Sequence, residues 1–292
     1  MLCKTLERNK YRITICVCII LALLLSGLFG CKVFAKGDDK KDYGVFLSLD
    51  ATDLDRIAEY RTVVIDAQYF SKKDISYLKK QGCTVYSYLN VGSLENFREY
   101  YDTYVNLTLG DYENWEEEKW MDVSQDKWQK FLVSLEKKFI KKGIDGFFID
   151  NCDVYYEYPT DEIFEGLTVI LKHLMKYEKP VIINGGDTFV MEYRERYGSI
   201  KDIMTGVNQE CIWSKIDFHT GTFSAQKKND RVYFRKYVEA CDAEGLNVYL
   251  VEYTKSNALK SKIKKYCRKK HFHYYISDSI ELNLPFRKSV PE

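Results

Sequence analysis

The stretch Lys142-Gly143-Ile144-Asp145-Gly146-Phe147-Phe148-Ile149-Asp150-Asn151-Cys152-Asp153 sets the architecture that we expect of the whole chain. Its short apolar run has the length and composition of a strand buried on both faces, and the run ends at a carboxylate. Asp150 is therefore predicted at the carboxyl end of a strand, where catalytic side chains lie in parallel α/β proteins. The alternative is that Asp150 only caps the next helix. Asp145 precedes the strand, so we expect it to stabilise the turn there.

Short apolar runs and longer amphipathic segments alternate along the chain. The predicted strands are residues 44–49, 62–66, 84–89, 146–150, 180–184, 203–207, 247–251 and 272–276. The predicted helices are residues 53–60, 72–81, 124–142, 160–177, 188–197, 231–244 and 256–270. This rhythm predicts a single α/β domain, a (β/α)8 TIM barrel. A doubly wound sheet is the alternative, but it would normally carry a glycine-rich phosphate loop after its first strand, and residues 49–52 are not one.

The first 31 residues have the pattern of a signal peptide or a membrane anchor. Four basic residues precede an uncharged run over residues 13–30, which is just long enough to span a bilayer, so cleavage and retention both stay open. Residues 28–31, Leu-Phe-Gly-Cys, are similar to a bacterial lipoprotein cleavage box, in which Cys31 would be lipidated. The charge pattern places the rest of the chain outside the cytoplasm, tethered to the outer face of the membrane, with secretion as a further alternative.

The remainder divides into a charged tether over residues 32–42, the barrel over 43–284 and a C-terminal tail over 285–292. Without the leader the chain has 40 Lys and Arg against 42 Asp and Glu, so it offers no electrostatic footprint for nucleic acid. Five cysteines remain, an odd number with no zinc spacing, and we predict buried free thiols. We expect a monomer. The five are Cys83, Cys152, Cys211, Cys241 and Cys267.

An acidic or amide residue ends or follows each predicted strand. The carboxyl ends of barrel strands meet at one mouth, and helix capping explains one or two such residues but not all eight. A ring of carboxylates suits glycoside hydrolysis, which needs two carboxyl groups. The ring consists of Asp50, Asp66, Asn90, Asp150 with Asp153, Asn184 with Asp187, Gln209 with Glu210, Glu252, and Asp278.

Aromatic residues just past the strand ends could stack on the apolar faces of sugars, although each one alone is more often core material. They are Trp115, Trp120, Tyr155, Tyr156, Tyr158, Trp213 and Tyr253. The four histidines are scattered without metal-ligand spacing, so we predict no metal and no cofactor. A Cys-His pair using Cys152 or Cys211 is a further alternative, but only His219 is placed to serve it.

Several segments together resemble the endo-α-1,4-polygalactosaminidase-like glycoside hydrolases. They are residues 88–93 with 97–100, 120–123 with Trp128, 143–151, 184–186, 207–210 and 251–253. The resemblance covers residues 43–278 and implies a (β/α)8 barrel that hydrolyses α-1,4-linked galactosamine-rich polysaccharide without a metal. It also implies that the aspartate after the fourth strand and the glutamate after the sixth are catalytic, here Asp150 and Glu210. Residues 90–95 depart from the family, which more often has an acidic residue directly after the glycine.

We therefore predict an extracytoplasmic glycosidase with Asp150 as nucleophile, Glu210 as general acid/base, and retention of configuration. Carboxyl groups about 5 Å apart would support retention, and about 6.5–9.5 Å would favour inversion. A positively charged amino sugar would suit so acidic a mouth. The alternative functions are a non-catalytic polysaccharide-binding barrel and a structural envelope protein. The predicted substrate-binding residues are Asp66, Asn90, Asp153, Asn184, Trp213, Glu252 and Tyr253.

Overall fold

The computed structural model describes residues 40–113 and 115–283. The leader with Cys31, the tether up to residue 39 and the tail over residues 285–292 lie outside this part of the chain. Within the described residues, no helix is both long enough and apolar enough to cross a bilayer. All five described cysteines are free, and four of them are buried, whereas Cys211 is half-buried.

The described residues form thirteen strands, and eight of these are parallel and make up the central sheet. In chain order the strands are β1 (Lys41–Phe46), β2 (Tyr60–Ile65), β3 (Thr84–Asn90), β4 (Ser93–Glu95), β5 (Thr108–Asp111), β6 (Glu118–Met121), β7 (Gly146–Asp150), β8 (Val181–Asn184), β9 (Gly206–Glu210), β10 (Ser214–Asp217), β11 (Thr222–Ala225), β12 (Asn247–Tyr253) and β13 (His273–Ser277). The sheet order is β1-β2-β3-β7-β8-β9-β12-β13. The first and last strands lie side by side, where the Asp42 carboxylate is 2.6 Å from Nδ1 of His273. The predicted (β/α)8 barrel is confirmed.

Helices cover the outside of the sheet and return the chain to the start of each next strand. They are α1 (Leu54–Ile57), α2 (Lys72–Lys80), α3 (Tyr101–Tyr104), α4 (Asp126–Lys142), α5 (Val154–Glu157), α6 (Asp161–Met175), α7 (Asp187–Tyr197), α8 (Lys228–Ala243) and α9 (Asn257–Lys270). Helix α4 buries Trp128, Leu132 and Phe139 on one face. It ends at Gly143, whose φ of 98° suits a residue without a Cβ.

The turn after α4 fixes the start of β7. The Asp145 carboxylate accepts a hydrogen bond from the backbone N–H of Val85 at 2.9 Å and pairs with Lys79 at 2.5 Å. These two contacts hold the turn at the closed end of the barrel, so the prediction that Asp145 stabilises the turn is confirmed. The parallel register then brings Asn90 of β3 opposite Asp150 of β7 at the open end.

Two barrel strands start three residues away from the predicted position, whereas the bounds of the other six agree to within two residues. The sixth barrel strand is Gly206–Glu210 rather than residues 203–207, since the apolar residues before it are buried in a turn and the strand itself carries buried polar side chains. Strand β1 begins at Lys41, inside the predicted tether, because Lys41 pairs with the Glu59 carboxylate at 3.2 Å and lies opposite Tyr60.

Two small antiparallel sheets rise above the open end of the barrel. Strands β4, β5 and β6 form one sheet, which we call the insertion sheet, in the long segment between β3 and α4. Strands β10 and β11 form a hairpin directly after β9. The apolar-run pattern did not predict either sheet, since their strands are short and their exposed residues are largely polar.

Candidate active site

Asp150 and Glu210 are the last residues of the fourth and sixth barrel strands, β7 and β9. Each is followed by a non-glycine residue in the left-handed region, Asn151 with φ of 64° and Cys211 with φ of 57°. This conformation is uncommon for residues other than glycine, and it concentrates at functional sites. It turns the chain sharply away directly after each acid.

A single amide joins the two acids. Nδ2 of Asn184, at the end of β8, lies 2.9 Å from Oδ1 of Asp150 and 2.9 Å from Oε1 of Glu210. The amide is held in this orientation because its own oxygen accepts a hydrogen bond from Nδ2 of Asn208 at 2.6 Å. The hydroxyl of Tyr43 donates in turn to Oδ1 of Asn208 at 3.2 Å. A buried polar layer of the barrel thus fixes the donor between the acids.

Two tyrosines complete the surroundings of the acids. The Tyr253 hydroxyl donates to Oε2 of Glu210 at 2.5 Å. The Tyr88 hydroxyl donates to Oε1 of Glu95 at 3.4 Å, and its proximity to Asp150 lowers the pKa of that carboxyl group. Burial raises the pKa of Asp150 to about 6, partly offset by the Asn184 hydrogen bond and increased again by the charge of Glu210. Burial also raises the pKa of Glu210, against hydrogen bonds from Tyr253 and Asn184. The charge of Glu210 opposes the ionisation of Asp150, so the two carboxyl groups titrate as a coupled pair.

Asp153 lies beside this pair, on the loop after β7. Burial raises its pKa to about 7, and the charges of Asp187 and Asp150 add to the effect. Both of its oxygens lie 3.2 Å from the backbone N–H of Gly186. Its carboxyl group lines the same cleft as Asp150 and Glu210.

Asp66, at the end of the second barrel strand, is held by an arginine that the sequence did not predict as a site residue. Its carboxylate lies 2.6 Å from Arg98, whose guanidinium also binds both oxygens of Glu95 at 3.0 and 2.7 Å. All three side chains are buried at the wall of the cleft. The i,i+3 spacing of Glu95 and Arg98 was the available signal, but it does not reveal that Asp66 joins them.

Asn90 is buried rather than part of the cleft surface. Its Oδ1 accepts a hydrogen bond from Nδ2 of Asn151 at 3.1 Å, and the same Nδ2 lies 2.9 Å from Oγ of Ser93. Ser93 also donates to Glu118 of the insertion sheet. A Cβ on Gly92 would lie 1.7 Å from the backbone oxygen of Asn151, so glycine is required there. Asn90 therefore holds the residue that follows Asp150.

Glu118 was missed by the sequence analysis and lines the cleft. Burial raises its pKa to about 7, with a further contribution from the charge of Glu95. It lies on a strand that no apolar run predicts, so its position could only be found in the folded chain.

Glu252 and Trp213 were predicted to bind substrate, and the structure places both away from the cleft surface. Glu252 is 0% exposed and accepts hydrogen bonds from the backbone N–H groups of Trp213 at 2.9 Å and Ser214 at 2.8 Å, and from the Ser214 hydroxyl at 2.6 Å. The Trp213 ring packs 5.3 Å from Tyr266. The alternation of side chains along β12 explains the difference, because Tyr253, next to Glu252, faces the cleft.

The cleft has a volume of about 1000 Å³. Among the described residues that line it, nine are acidic and two are basic, so the mouth is strongly negative.

Two of the predicted aromatic residues line the cleft, Trp115 and Tyr253. Six aromatic residues that were not predicted line it as well: Tyr69, Tyr88, Phe97, Tyr112, Phe218 and Phe234. Seven residues of the predicted ring line the cleft: Asp50, Asp66, Asp150, Asp153, Asn184, Gln209 and Glu210. The other four do not: Asn90, Asp187, Glu252 and Asp278.

Residues 40–281 match the model of the glycoside-hydrolase family GH114. The chain belongs to glycoside-hydrolase family GH114. It is therefore a glycoside hydrolase, and the resemblance noted in the sequence is confirmed.

Solved structures share the barrel of this GH114 member. The glycoside hydrolase domain of PelA from Pseudomonas aeruginosa is 19% identical with a TM-score of 0.72, covering 83% of this chain and 96% of that one. Ega3 from Aspergillus fumigatus, solved in complex with galactosamine, is 18% identical with a TM-score of 0.63, covering 84% and 93%. At these identities the likeness to the two solved structures shows the fold.

The uncharacterised protein MJ1477 of Methanocaldococcus jannaschii is a relative in sequence. It is 23% identical over 257 residues, 76% of this chain and 70% of that protein.

Proposed function

We propose that this GH114 chain hydrolyses α-1,4-linked galactosamine-containing polysaccharide with retention of configuration. Asp150 is the nucleophile and Glu210 is the general acid/base. The observation that carries the proposal is the Asn184 amide, which lies 2.9 Å from both carboxyl groups on the floor of an acidic cleft.

The spacing of the acids supports retention. The two bridged oxygens lie 2.9 Å from one nitrogen, so they are separated by at most twice that distance. This is below the roughly 6.5–9.5 Å that leaves room for a water molecule in inverting enzymes. The spacing instead suits a carboxylate that attacks the sugar directly.

The hydrogen bonds support the division of roles. In the first step Glu210 gives its proton to the glycosidic oxygen while Asp150 attacks the anomeric carbon, so that the glycosidic bond breaks and a glycosyl ester forms. In the second step Glu210 takes a proton from water, whose oxygen displaces Asp150. Asp150 accepts a hydrogen bond from Asn184 at 2.9 Å, and the nearby Tyr88 hydroxyl and Asn151 backbone N–H also favour its charged form.

The charge of the cleft supports an amino sugar as substrate. Nine acidic residues against two basic ones attract a polymer whose free amino groups are protonated near neutral pH. Ega3, which has the same fold, was solved in complex with galactosamine. The acidic residues are Asp50, Asp66, Glu95, Glu117, Glu118, Asp150, Asp153, Glu210 and Glu281.

The site of action that we propose is outside the cytoplasm, with the chain anchored to the membrane through its leader or a lipid on Cys31. The support is the basic and then apolar pattern of residues 1–31. Fractionation of cells that express the full chain and the Cys31→Ser variant tests this. Loss of the variant from the membrane fraction supports lipidation.

Release of reducing ends from a partly N-acetylated α-1,4-galactosamine polymer tests the activity. We expect Asp150→Asn and Glu210→Gln each to lower kcat by at least about 100-fold, since each removes a group that takes part in bond cleavage. Asp126→Asn, on the outer helix α4, is the matched control and should cleave like the wild type. Proton NMR of the first product should show the α-anomer.

Three outcomes would contradict the proposal. Cleavage that survives both substitutions would rule out the assigned acids. A β-anomer as the first product would replace retention with inversion. An intact protein that cleaves no amino-sugar polymer would favour the non-catalytic binding barrel.

A further inference from the structure

Two aromatic rings from different loops, the half-buried Trp115 and the exposed Phe218, meet at the cleft. Trp115 lies between β5 and β6 of the insertion sheet, and Phe218 lies in the turn between β10 and β11. Their ring centroids are 5.8 Å apart with an interplanar angle of 73°, an edge-to-face contact. Both residues line the cleft, and neither is among the side chains that pack against the barrel core. We call this pair the aromatic bridge.

We propose that the polysaccharide chain passes beneath the aromatic bridge, which keeps the polymer in the cleft between successive cleavages. This inference rests on the proposed function, because it concerns how the same substrate reaches Asp150 and Glu210. It assigns to Trp115 and Phe218 a role in how the enzyme acts along a polymer.

The order of the barrel strands supports a bridge rather than a side wall. The insertion sheet follows the third barrel strand and the hairpin follows the sixth, so the fourth and fifth strands lie between them. The contact therefore spans the strand ends that carry Asp150 and Asn184. Side chains that line the cleft lie on both sides of this line. Asp50 and Glu281 come from the first and last barrel loops, whereas Asp153 and Gly185 come from the loops after the fourth and fifth barrel strands.

Both loops are fixed at their bases, so the two rings are presented in defined positions. Glu252 binds the backbone N–H groups of Trp213 and Ser214 at the start of the hairpin, and the Asp217 carboxylate accepts from the N–H of His219 at 3.0 Å in its turn. On the other side, the backbone N–H of Glu118 donates to the carbonyl of Trp115 at 2.9 Å. The two rings line the cleft beside other residues of the same loops, such as Ile216 and Glu117.

The chemistry of the rings suits a sugar chain. Phe218 is 43% exposed, and holding an apolar ring in water is unfavourable unless a ligand covers it. Flat rings pack against the apolar faces of sugars without selecting one hydroxyl pattern. A contact of this kind allows a chain to slide, whereas the carboxylates on the floor bind its amino groups one by one.

Product analysis with the full chain tests the proposal. With a partly N-acetylated α-1,4-galactosamine polymer, the wild type should release short oligosaccharides early while the remaining polymer keeps its length. Trp115→Ala and Phe218→Ala should each shorten the whole polymer population for the same number of reducing ends. Phe218→Tyr should keep the wild-type pattern, and Tyr197→Ala, an exposed aromatic on the outer helix α7, is the matched control.

The double variant makes the test sharper. If the two rings form one bridge, Trp115→Ala with Phe218→Ala should change the product lengths no more than either substitution alone, because each already removes the contact. Product lengths that are the same in the wild type and all bridge variants would overturn the proposal. So would a wild type that already shortens the polymer at random.

A binding measurement separates this inference from the proposed function. In an Asp150→Asn background, loss of either ring should speed dissociation of a fluorescent galactosamine polymer roughly two- to tenfold, as expected for one aromatic contact. If the wild type cleaves no polymer but the ring substitutions speed dissociation, the bridge stands and the hydrolytic assignment fails. Dissociation at the same rate in all variants overturns the bridge.

Discussion

Asn184 illustrates how one side chain sets the environment of two acids. The sequence predicts it as a substrate-binding residue, and its position at a strand end is indeed on the cleft. Its amide nitrogen, however, donates to Asp150 and Glu210, and its oxygen is occupied by Asn208. The sequence therefore predicts that Asn184 lies on the cleft. The groups that its amide contacts follow only from the packing of β7 and β9 beside β8.

The hydroxyl of Tyr253 gives a prediction about pH dependence. Burial raises the pKa of Glu210, and the hydrogen bond from Tyr253 partly offsets this rise. Tyr253→Phe removes the donor, so the pKa of Glu210 should rise further. Since Glu210 must be protonated to act as the acid, the alkaline limb of the kcat/KM profile should move to higher pH.

Tyr88→Phe is the matched substitution on the other acid. The pKa of Asp150 is raised to about 6 by burial, and the nearby Tyr88 hydroxyl lowers it. Loss of this hydroxyl should move the acid limb to higher pH and leave the alkaline limb in place, because Asp150 must be ionised to attack. If both variants shift the same limb, the roles assigned to the two acids are wrong.

At the scale of elements, the sixth strand shows where pattern analysis fails. The apolar run at residues 203–207 predicts a strand three residues too early. The true strand carries the buried residues Asn208 and Gln209, and Asn208 has buried polar partners inside the barrel. A rule that equates burial with apolar residues misses a strand whose interior positions belong to a polar layer.

Glu252 gives a prediction for the loop after β9. Glu252→Ala leaves the two N–H groups and the hydroxyl that it binds without an acceptor, so the free energy of unfolding should fall by about 2 kcal/mol or more. The kcat should fall as well, because this loop directly follows Glu210. Urea unfolding and steady-state kinetics measure both effects, and Glu252→Gln should recover part of each. A raised KM with unchanged stability would instead point to direct substrate binding.

Helices α4 and α6 meet at a buried carboxyl group. Oε2 of Glu136 lies 2.8 Å from Nδ1 of His173, and its other oxygen has no hydrogen-bond partner among the described residues. Burial raises the pKa of Glu136 to about 8, whereas an unfolded glutamate titrates near about 4.3. Unfolding therefore releases a proton between these values, and stability falls as pH rises through this window.

Glu136→Gln should remove this dependence. His173 is present in both proteins, and its own titration differs between them only through its contact with Glu136. At pH 8 the variant should be more stable than the wild type by up to about 4–5 kcal/mol, and at pH 4 the two should be alike. Chemical denaturation at several pH values provides the measurement. A wild type whose stability rises from pH 5 to 8 relative to the variant would show that Glu136 is charged in the folded protein.

At the scale of the whole molecule, the charge of the cleft predicts a salt effect. An acidic mouth attracts a protonated amino-sugar polymer, and added salt screens this attraction over about 10 Å at 0.1 M. The KM for a deacetylated polymer should therefore rise with ionic strength, whereas the KM for a fully N-acetylated oligosaccharide should change little. An equal response of both substrates would mean that the cleft does not recognise the amino groups by charge.

The sequence by itself determined the barrel and the ring of strand-end residues that includes Asp150 and Glu210, and the family resemblance selected these two from the ring. Alternating strand and helix periods predict parallel strands, and parallel strands bring the residues at their carboxyl ends together whatever the loops do. Local pattern was therefore sufficient to place Asp150 and Glu210 on one face. It could not distinguish a residue that lines the cleft from one that holds a loop.

The tertiary structure decided that distinction. Glu252 and Asn90 became anchors because backbone and side-chain donors from neighbouring loops surround them, and Glu118, Arg98 and Phe218 reached the cleft on elements that no period predicts. The partners of each side chain lie far away in sequence, so their contacts exist only once the barrel has closed. The physical reason is that periodicity specifies which face a residue occupies, whereas hydrogen-bond partners depend on long-range packing.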